Sequence, residues 1–260
     1  MCTTCGCGPT EDHHHEHEPG HHHGGHHPHH HGDGRGDHHP DDAAIRKIAV
    51  ETDILAKNDR LAAANRAMFG EMGVFVLNLV SSPGSGKTTI LERTLRDLHG
   101  RFNFAVVEGD QQTDNDALRI AATGVAVKQV NTGAGCHLDA HMVCHAVEHF
   151  DMDELDILMI ENVGNLVCPA SFDLGEAHKV VVLSVTEGED KPLKYPSMFH
   201  NADIMLLNKV DLLPHLDFDV EKCKSFARRV NPQISIFDVS SKTGEGMDLW
   251  YEWLAAGARK

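Results

Sequence analysis

Three groups of residues in this chain have the types and the spacing to do chemistry. The first is Ser81-Ser82-Pro83-Gly84-Ser85-Gly86-Lys87-Thr88-Thr89, which follows the apolar run Phe75-Val76-Leu77-Asn78-Leu79-Val80 and precedes an amphipathic stretch. Strand, glycine-rich loop and helix form the context of a phosphate cradle, because small residues let backbone N–H groups approach phosphates at a helix N-terminus. In that reading Gly84, Ser85, Gly86 and Thr89 belong to the cradle, Lys87 reaches the β- and γ-phosphates and the Thr88 hydroxyl holds Mg2+. Ser81 stands where the motif usually has its first glycine, which leaves the Gly-Lys-Thr core intact.

The second group reads the base and the γ-phosphate. Asn208-Lys209-Val210-Asp211 follows the apolar run Met205-Leu206-Leu207, at the carboxyl end of a strand where open α/β sheets bind ligands. Asp211 can accept from both N1–H and the exocyclic amine of guanine. Adenine lacks that donor pair, so GTP is expected over ATP. Ser240-Ser241-Lys242, after the last apolar run, resembles the second base-contacting loop of GTPases. Glu108-Gly109-Asp110 and Glu161-Asn162-Val163-Gly164 each follow a predicted strand. Asp110 is the expected Mg2+ carboxylate. The Gly164 N–H is expected at the γ-phosphate, with Glu161 aiding Mg2+ or the attacking water, although most GTPases carry aspartate at that place. Lys87, Asp110, Glu161 and Gly164 are thus the catalytic candidates.

The third group is soft. Cys2, Cys5 and Cys7 form a C-x2-C-x-C cluster whose thiolates can converge on Ni2+, Zn2+ or Cu+ without a supporting fold. Fourteen of the 27 residues from His13 to His39 are histidine, interrupted by Gly, Pro, Asp and Glu as a purification tag would not be. At two to four imidazoles per ion this tract could store roughly four to seven ions. Cys136, His137 and Cys168 offer a mixed sulfur and nitrogen site for Ni2+ or Zn2+ if the fold joins their loops; buried structural thiols are the alternative. His141, His145 and His149 continue a fourfold spacing that reads as a solvated helix face, and Cys144 and Cys223 read as core thiols.

The elements that must position these residues follow from composition and period. A chain of 260 residues has room for one sizeable α/β domain with appendages. Its formal charge of −16 argues against nucleic acid or an anionic membrane as partner. No run approaches the roughly 18 apolar residues of a membrane span, and Met1–Cys5 lacks the features of a signal peptide, so the cytoplasm is expected. Seven cysteines in that reducing compartment read as ligands or buried thiols. Residues 1–7 form the cysteine motif, and 8–42, without one apolar residue, a disordered histidine-rich metal-binding tail. An N-terminal helix over 43–72 is predicted, N-capped by Asp42 and ended by Gly70 and Gly73. Whether it covers the domain or joins a dimer seam is left open by the sequence. Residues 73–260 alternate apolar runs with amphipathic ones, predicting a mostly parallel, roughly seven-stranded sheet flanked by helices. The strands are expected at 74–80, 104–107, 126–130, 156–160, 180–185, 204–207 and 234–237. The helices are expected at 88–98, 115–122, 138–150, 220–230 and 247–256.

Taken together, the opening cysteine motif, the histidine tract, Ser81–Thr89, Glu108–Thr113, Asn131-Thr132-Gly133, Cys136–Asp139, Glu161–Pro169 and Gly188–Pro196 resemble HypB over essentially the whole chain. That family comprises the nickel-inserting GTPases of NiFe-hydrogenase maturation. The resemblance implies a P-loop GTPase that dimerises with nucleotide, stores nickel and delivers it to the hydrogenase large-subunit precursor alongside the zinc-binding accessory protein HypA. It implies GTP, Mg2+, Ni2+ and Zn2+ as ligands. Two other readings stay open: a urease- or cobalamin-type accessory GTPase, and a nickel or zinc storage protein with a regulatory GTPase domain.

Overall fold

The computed structural model of the chain describes residues 40–111, 113–133 and 135–258. Cys2, Cys5, Cys7 and the histidine tract lie outside the described residues. Each of the seven apolar runs becomes a strand: β1 (Phe75–Ser81), β2 (Phe104–Asp110), β3 (Ala126–Asn131), β4 (Ile157–Gly164), β5 (His178–Ser184), β6 (Ile204–Asn208) and β7 (Ser235–Asp238). They form one sheet in the order β3-β2-β4-β1-β5-β6-β7, and all six pairings are parallel. Near-continuous valine, isoleucine and leucine in the central strands is what burial on both faces demands. Leu77, Leu79, Val106 and Met159 pack on one face beneath α2 (Lys87–Asp97), α3 (Asn115–Ala121) and α8 (Met247–Gly257). Val76, Val107, Leu158 and Ile160 pack on the other face, against α4 (Ala140–Val147) and the end of α1 (Pro40–Met72). Farther along that face, Val181, Leu183, Met205 and Leu207 lie with α6 (Pro196–Asn201) and α7 (Val220–Val230), and the short α5 (Lys191–Lys194) lies beside these two helices.

Several boundaries differ from those expected. Glu108-Gly109-Asp110 and Glu161–Gly164 are not loops after their strands but the last residues of β2 and β4. Parallel pairing carries them, since Glu108 lies opposite Glu161, Asp110 opposite Asn131, and Ser81 opposite Gly164. The short helices α5 and α6, each opened by a proline in its first turn, escaped the helical period because neither is long enough to show one. Helix α1 starts at Pro40, so Asp42 stands within it rather than at its cap, and Gly70 lies inside it. Gly73, with φ +70°, ends the helix: its N–H bonds Gly70 O at 3.3 Å and the Val74 N–H bonds Phe69 O at 2.9 Å, a paired C-terminal closure.

From Ile54 onward the chain is one compact unit, and the part of α1 inside it packs on the domain in cis. Buried Asn58 accepts from Ala140 N at 2.9 Å and donates to Asp173 O at 2.8 Å. Buried Asn65 donates to Ala140 O at 2.8 Å and Leu174 O at 3.0 Å. Gly175, at φ +92°, lets the backbone pass this close, because a Cβ there would fall 2.6 Å from that of Asn65. Helix α1 therefore clamps the start of α4 and the 173–175 turn, the two segments that flank Cys136-His137 and Cys168. No helix among the described residues is long and apolar enough to cross a membrane.

Candidate functional site

The loop after the central strand β1 opens at the carboxyl end of the sheet, beside β4 on one side and β5 on the other. Gly84 and Gly86 hold left-handed φ values of +78° and +95°, and Gly86 caps α2. A Cβ on Gly86 would meet Asn208 Nδ2 at 2.5 Å, so only glycine fits. Helix α2 has no side-chain cap and no acid in its first turn, which leaves its N–H groups and positive dipole end for an anion. They face a cavity of about 580 Å3 lined by Ser81–Thr89, with Asp110, Arg119, Gly164 and Lys209 at its rim.

Glu161, fully buried, is the centre of the polar contacts at the cavity floor. Its Oε1 accepts from Lys87 Nζ at 2.6 Å and from Thr88 Oγ1 at 2.7 Å. Its Oε2 is buried without a hydrogen-bond partner among the described residues. Glu108, opposite on β2, is also buried, and burial first, then the charges of Glu161 and Asp110, push its carboxyl up to about 8. The protonated form of the Glu108 carboxyl is thereby favoured at neutral pH. The Asp110 oxygens accept from Gln111 N and Thr113 Oγ1, which fixes the carboxylate at the cavity edge. Gly164 lies against the cradle: a Cβ there would be 3.3 Å from Pro83 Cα.

The two base-reading candidates converge on the other rim. Buried Asn208 donates to Ser85 O at 2.9 Å and accepts from Ser241 N at 3.2 Å, binding the cradle, β6 and the loop after β7 into one piece. Lys209, the one positive-φ residue other than glycine among those described, turns its Nζ to Gly84 O at 2.7 Å. Asp211 accepts from Ser240 Oγ at 2.6 Å, and Ser240 Oγ in turn accepts from Thr243 N at 3.1 Å. Lys242 is exposed.

Cys136 and His137 lie in the turn between β3 and α4, and Cys168 opens a 3-10 turn after β4. Their sulfur and imidazole ligand atoms all fall within 4.8 Å of one another, with all three side chains half-buried. His137 stacks on Phe172 with ring centroids 3.9 Å apart, and burial lowers its pKa, keeping a lone pair available. The Cys136 thiol is held up by its hydrogen bond with Cys168 and by burial. Two thiols, one imidazole and open coordination positions suit a borderline transition metal.

Buried polar residues that the sequence reading passed over tie these centres together. Asn162 Oδ1 accepts from Leu138 N at 3.1 Å, and its Nδ2 donates to Asn78 Oδ1 at 3.3 Å. Asn78 donates to Glu176 Oε1 at 3.0 Å, and Lys179 lies 3.8 Å from that oxygen while donating to Pro169, Ala170 and Phe172 carbonyls. Ser82 Oγ donates to Glu187, which also accepts from Ser184 N at 3.0 Å. Asn78 interrupts an otherwise apolar run, and that interruption was the available signal, whereas Lys179 stands just before Val180-Val181-Val182-Leu183. Cys223 is a core thiol as expected, whereas Cys144 is only half-buried. His149 is exposed, but His141 and His145 are half-buried and face one another, so the helix face is not simply solvated.

A phosphate cradle after the central strand of an all-parallel sheet, with Asn-Lys-Val-Asp at the carboxyl end of β6 two strands away, defines a nucleotide-binding domain of the P-loop GTPase class. The family model for the CobW/HypB/UreG nucleotide-binding domain matches residues 75–238. The hydrogenase maturation factor HypB of Azotobacter vinelandii is 67% identical over 80% of this chain and 69% of its own length. That of Rhizobium leguminosarum bv. viciae is 56% identical over 100% of this chain and 97% of its own. The crystal structure of Helicobacter pylori HypB in complex with nickel superposes with a TM-score of 0.74 at 43% identity, covering 78% of this chain and 95% of that one. The chain belongs to the HypB family of hydrogenase maturation factors.

Proposed function

We propose that this chain hydrolyses GTP and uses the nucleotide state to set the affinity of Cys136, His137 and Cys168 for nickel, its cargo for a hydrogenase large-subunit precursor. The observation that carries the reading is the bond from Leu138 N to Asn162 Oδ1, 3.1 Å. It joins the residue after His137 to the residue after Glu161, whose carboxylate holds both Lys87 and Thr88. A change at the phosphate floor is thereby one hydrogen bond from the metal turn.

For Lys87 to reach the β- and γ-phosphates it must leave Glu161 Oε1, and that exchange is the mechanical event of nucleotide binding. Gly164, packed on Pro83, turns its N–H to the γ-phosphate, so loss of that phosphate frees the end of β4 and the Cys168 turn beyond it. The oxygens of Thr88, Asp110 and Glu161, including the unpartnered Glu161 Oε2, suit Mg2+, which when bound neutralises charge between the β- and γ-phosphates. Asp211 selects guanine with Asn208, Lys209 and the Ser240-Ser241-Lys242 loop around it. Residues 8–42 supply a separate store through their histidines, and Cys2, Cys5 and Cys7 in residues 1–7 a further metal site. Zn2+ competes for the thiolate site. The family resemblance supports a nucleotide-dependent homodimer working in the cytoplasm with a HypA-type zinc-binding partner.

The test is reciprocity. Nickel should change the ratio of GDP to non-hydrolysable GTP-analogue affinity of the full chain by about 5- to 150-fold, and Cys168→Ala should remove the change. Equal nucleotide affinities with and without nickel would refute the coupling.

A further inference from the structure

We propose that Phe172 is a positioning residue of the thiolate site: its ring holds the His137 imidazole in the orientation in which it meets nickel together with Cys136 and Cys168. The two rings lie with centroids 3.9 Å apart and planes inclined at 37°. A histidine that ligates a metal is ordinarily oriented by a hydrogen bond from its second ring nitrogen to a carboxylate or a carbonyl. Among the described residues no oxygen takes that part: the hydrogen-bonding contact of the His137 ring is that of Nδ1 with Cys136 Sγ, 3.6 Å away and itself in the ligand set. A flat apolar face against the imidazole takes over the role, because the ring cannot turn about its Cβ–Cγ bond without losing the stack.

The face is itself held from two sides. Phe172 O accepts from Lys179 Nζ at 3.2 Å, and the next carbonyl, Asp173 O, accepts from Asn58 Nδ2 at 2.8 Å. The Asp173 carboxylate accepts from Arg66 at 2.7 Å and from Gly175 N at 2.9 Å, which closes the turn behind the ring. Strand β5 and helix α1 thereby fix a side chain that neither carries, and both Lys179 and Asn58 are buried. Asn162 and Asn58 in turn hold the backbone just after His137, through Leu138 N and Ala140 N. Phe172 lies four residues beyond Cys168, so its stack on His137 joins the two ligand-bearing segments before any ion does. Less ordering is then left for nickel to impose, and the site gains affinity from a group that offers no ligand atom. The inference rests on the reading of Cys136, His137 and Cys168 as the nickel site, and not on the coupling of that site to nucleotide.

Peptide-level alkylation of Cys136 and Cys168 over a series of buffered free Ni2+ concentrations tests it on the full chain with GDP. Protection of these two thiols reports the domain site and not the ions held by residues 1–42. Phe172→Leu should raise the Ni2+ needed for half-protection about tenfold, the lower end of what outer partners of a metal ligand give. Phe172→Tyr keeps the stacked face and should stay within about twofold of the parent. His137→Ala should also raise the midpoint, and adding Phe172→Leu to it should change nothing further, because the ring acts through the imidazole. Fully buried Cys223 stays slow to alkylate in a folded domain and checks each variant in the same digest; Phe172→Met takes the place of the leucine variant if that one fails the check. An unshifted Phe172→Leu midpoint would overturn the proposal. So would a shift as large in the His137→Ala background as in the parent, or a Phe172→Tyr variant as weak as Phe172→Leu. Parent thiols that saturating nickel leaves unprotected would refute the site itself, and this inference with it.

Discussion

Replacing Lys179 by methionine should loosen the Cys168 turn and weaken the whole domain. Lys179 is buried on β5, and its Nζ donates to the carbonyls of Pro169, Phe172 and Ala170 at 3.0, 3.2 and 3.4 Å. Methionine keeps most of the apolar stem but strands the Pro169 and Phe172 carbonyls, Ala170 O keeping its bond from Asn201 Nδ2 at 2.9 Å, and leaves buried Glu176 without its cation, 3.8 Å away. Breaking one side of a buried charge pair costs about 3–5 kcal/mol. Burial already holds the Glu176 carboxyl above its usual range, against the pull of Lys179 and Asn78, so it can take a proton and the cost should sit near about 3 kcal/mol. Against a total stability of about 5–15 kcal/mol the variant still folds. Urea unfolding followed by circular dichroism should show a lower midpoint with an unchanged slope. Peptide-level alkylation should show Cys168 reacting faster than in the parent. Lys179→Met/Glu176→Gln, which removes the stranded acid but keeps only one acceptor for its two donors, Asn78 Nδ2 and Leu174 N, should bring the loss down to about 2 kcal/mol. A single variant that loses less than about 1 kcal/mol, or a double variant no better than the single, would refute the account of this pair as a clamp.

Asp211→Asn should weaken GTP about 100-fold or more and admit xanthosine triphosphate, whose extra carbonyl accepts from the amide; equal GTP binding by variant and parent would remove Asp211 from base reading. Deleting residues 8–42 should lower bound nickel by roughly four to seven ions in equilibrium dialysis and leave GTP turnover unchanged. Nickel held by those histidines should leave as pH falls through about 6.5, where imidazole takes a proton. Burial pushes the Cys223 thiol from 9.0 up to about 12. Its folded form therefore keeps a proton that the unfolded chain loses, and any stability it contributes declines as pH rises from 9 towards 12. At pH 8 its alkylation should be slower by about a thousandfold in the folded chain than in urea, and a rate close to that of the unfolded thiol would contradict the burial.

Local pattern was sufficient for much of this protein. Apolar runs marked the seven strands, most plainly the central ones, because a strand buried on both faces takes mainly apolar side chains, and Gly-Ser-Gly-Lys-Thr after the first of them marked the candidate phosphate loop. Asp211 was legible as a candidate for the same reason: the proposed base reading rests on the strand it follows and on the hydrogen-bonding edge of one base. The pairing of Glu108 with Glu161 was not legible, since it depends on β4 inserting between β1 and β2 and on parallel pairing carrying both strands past their apolar runs. The same insertion sets the Cys168 turn against the Cys136 turn from the far side of α4, and Asn58, Asn65 and Lys179 hold the flanking segments by hydrogen bonds to residues distant in the chain. Periodicity and turn chemistry reach only a few residues along the chain. Strand order and the closure of buried polar groups are settled by how the layers meet, and so it was the tertiary structure that brought the soft ligands together and tied them to the phosphate floor.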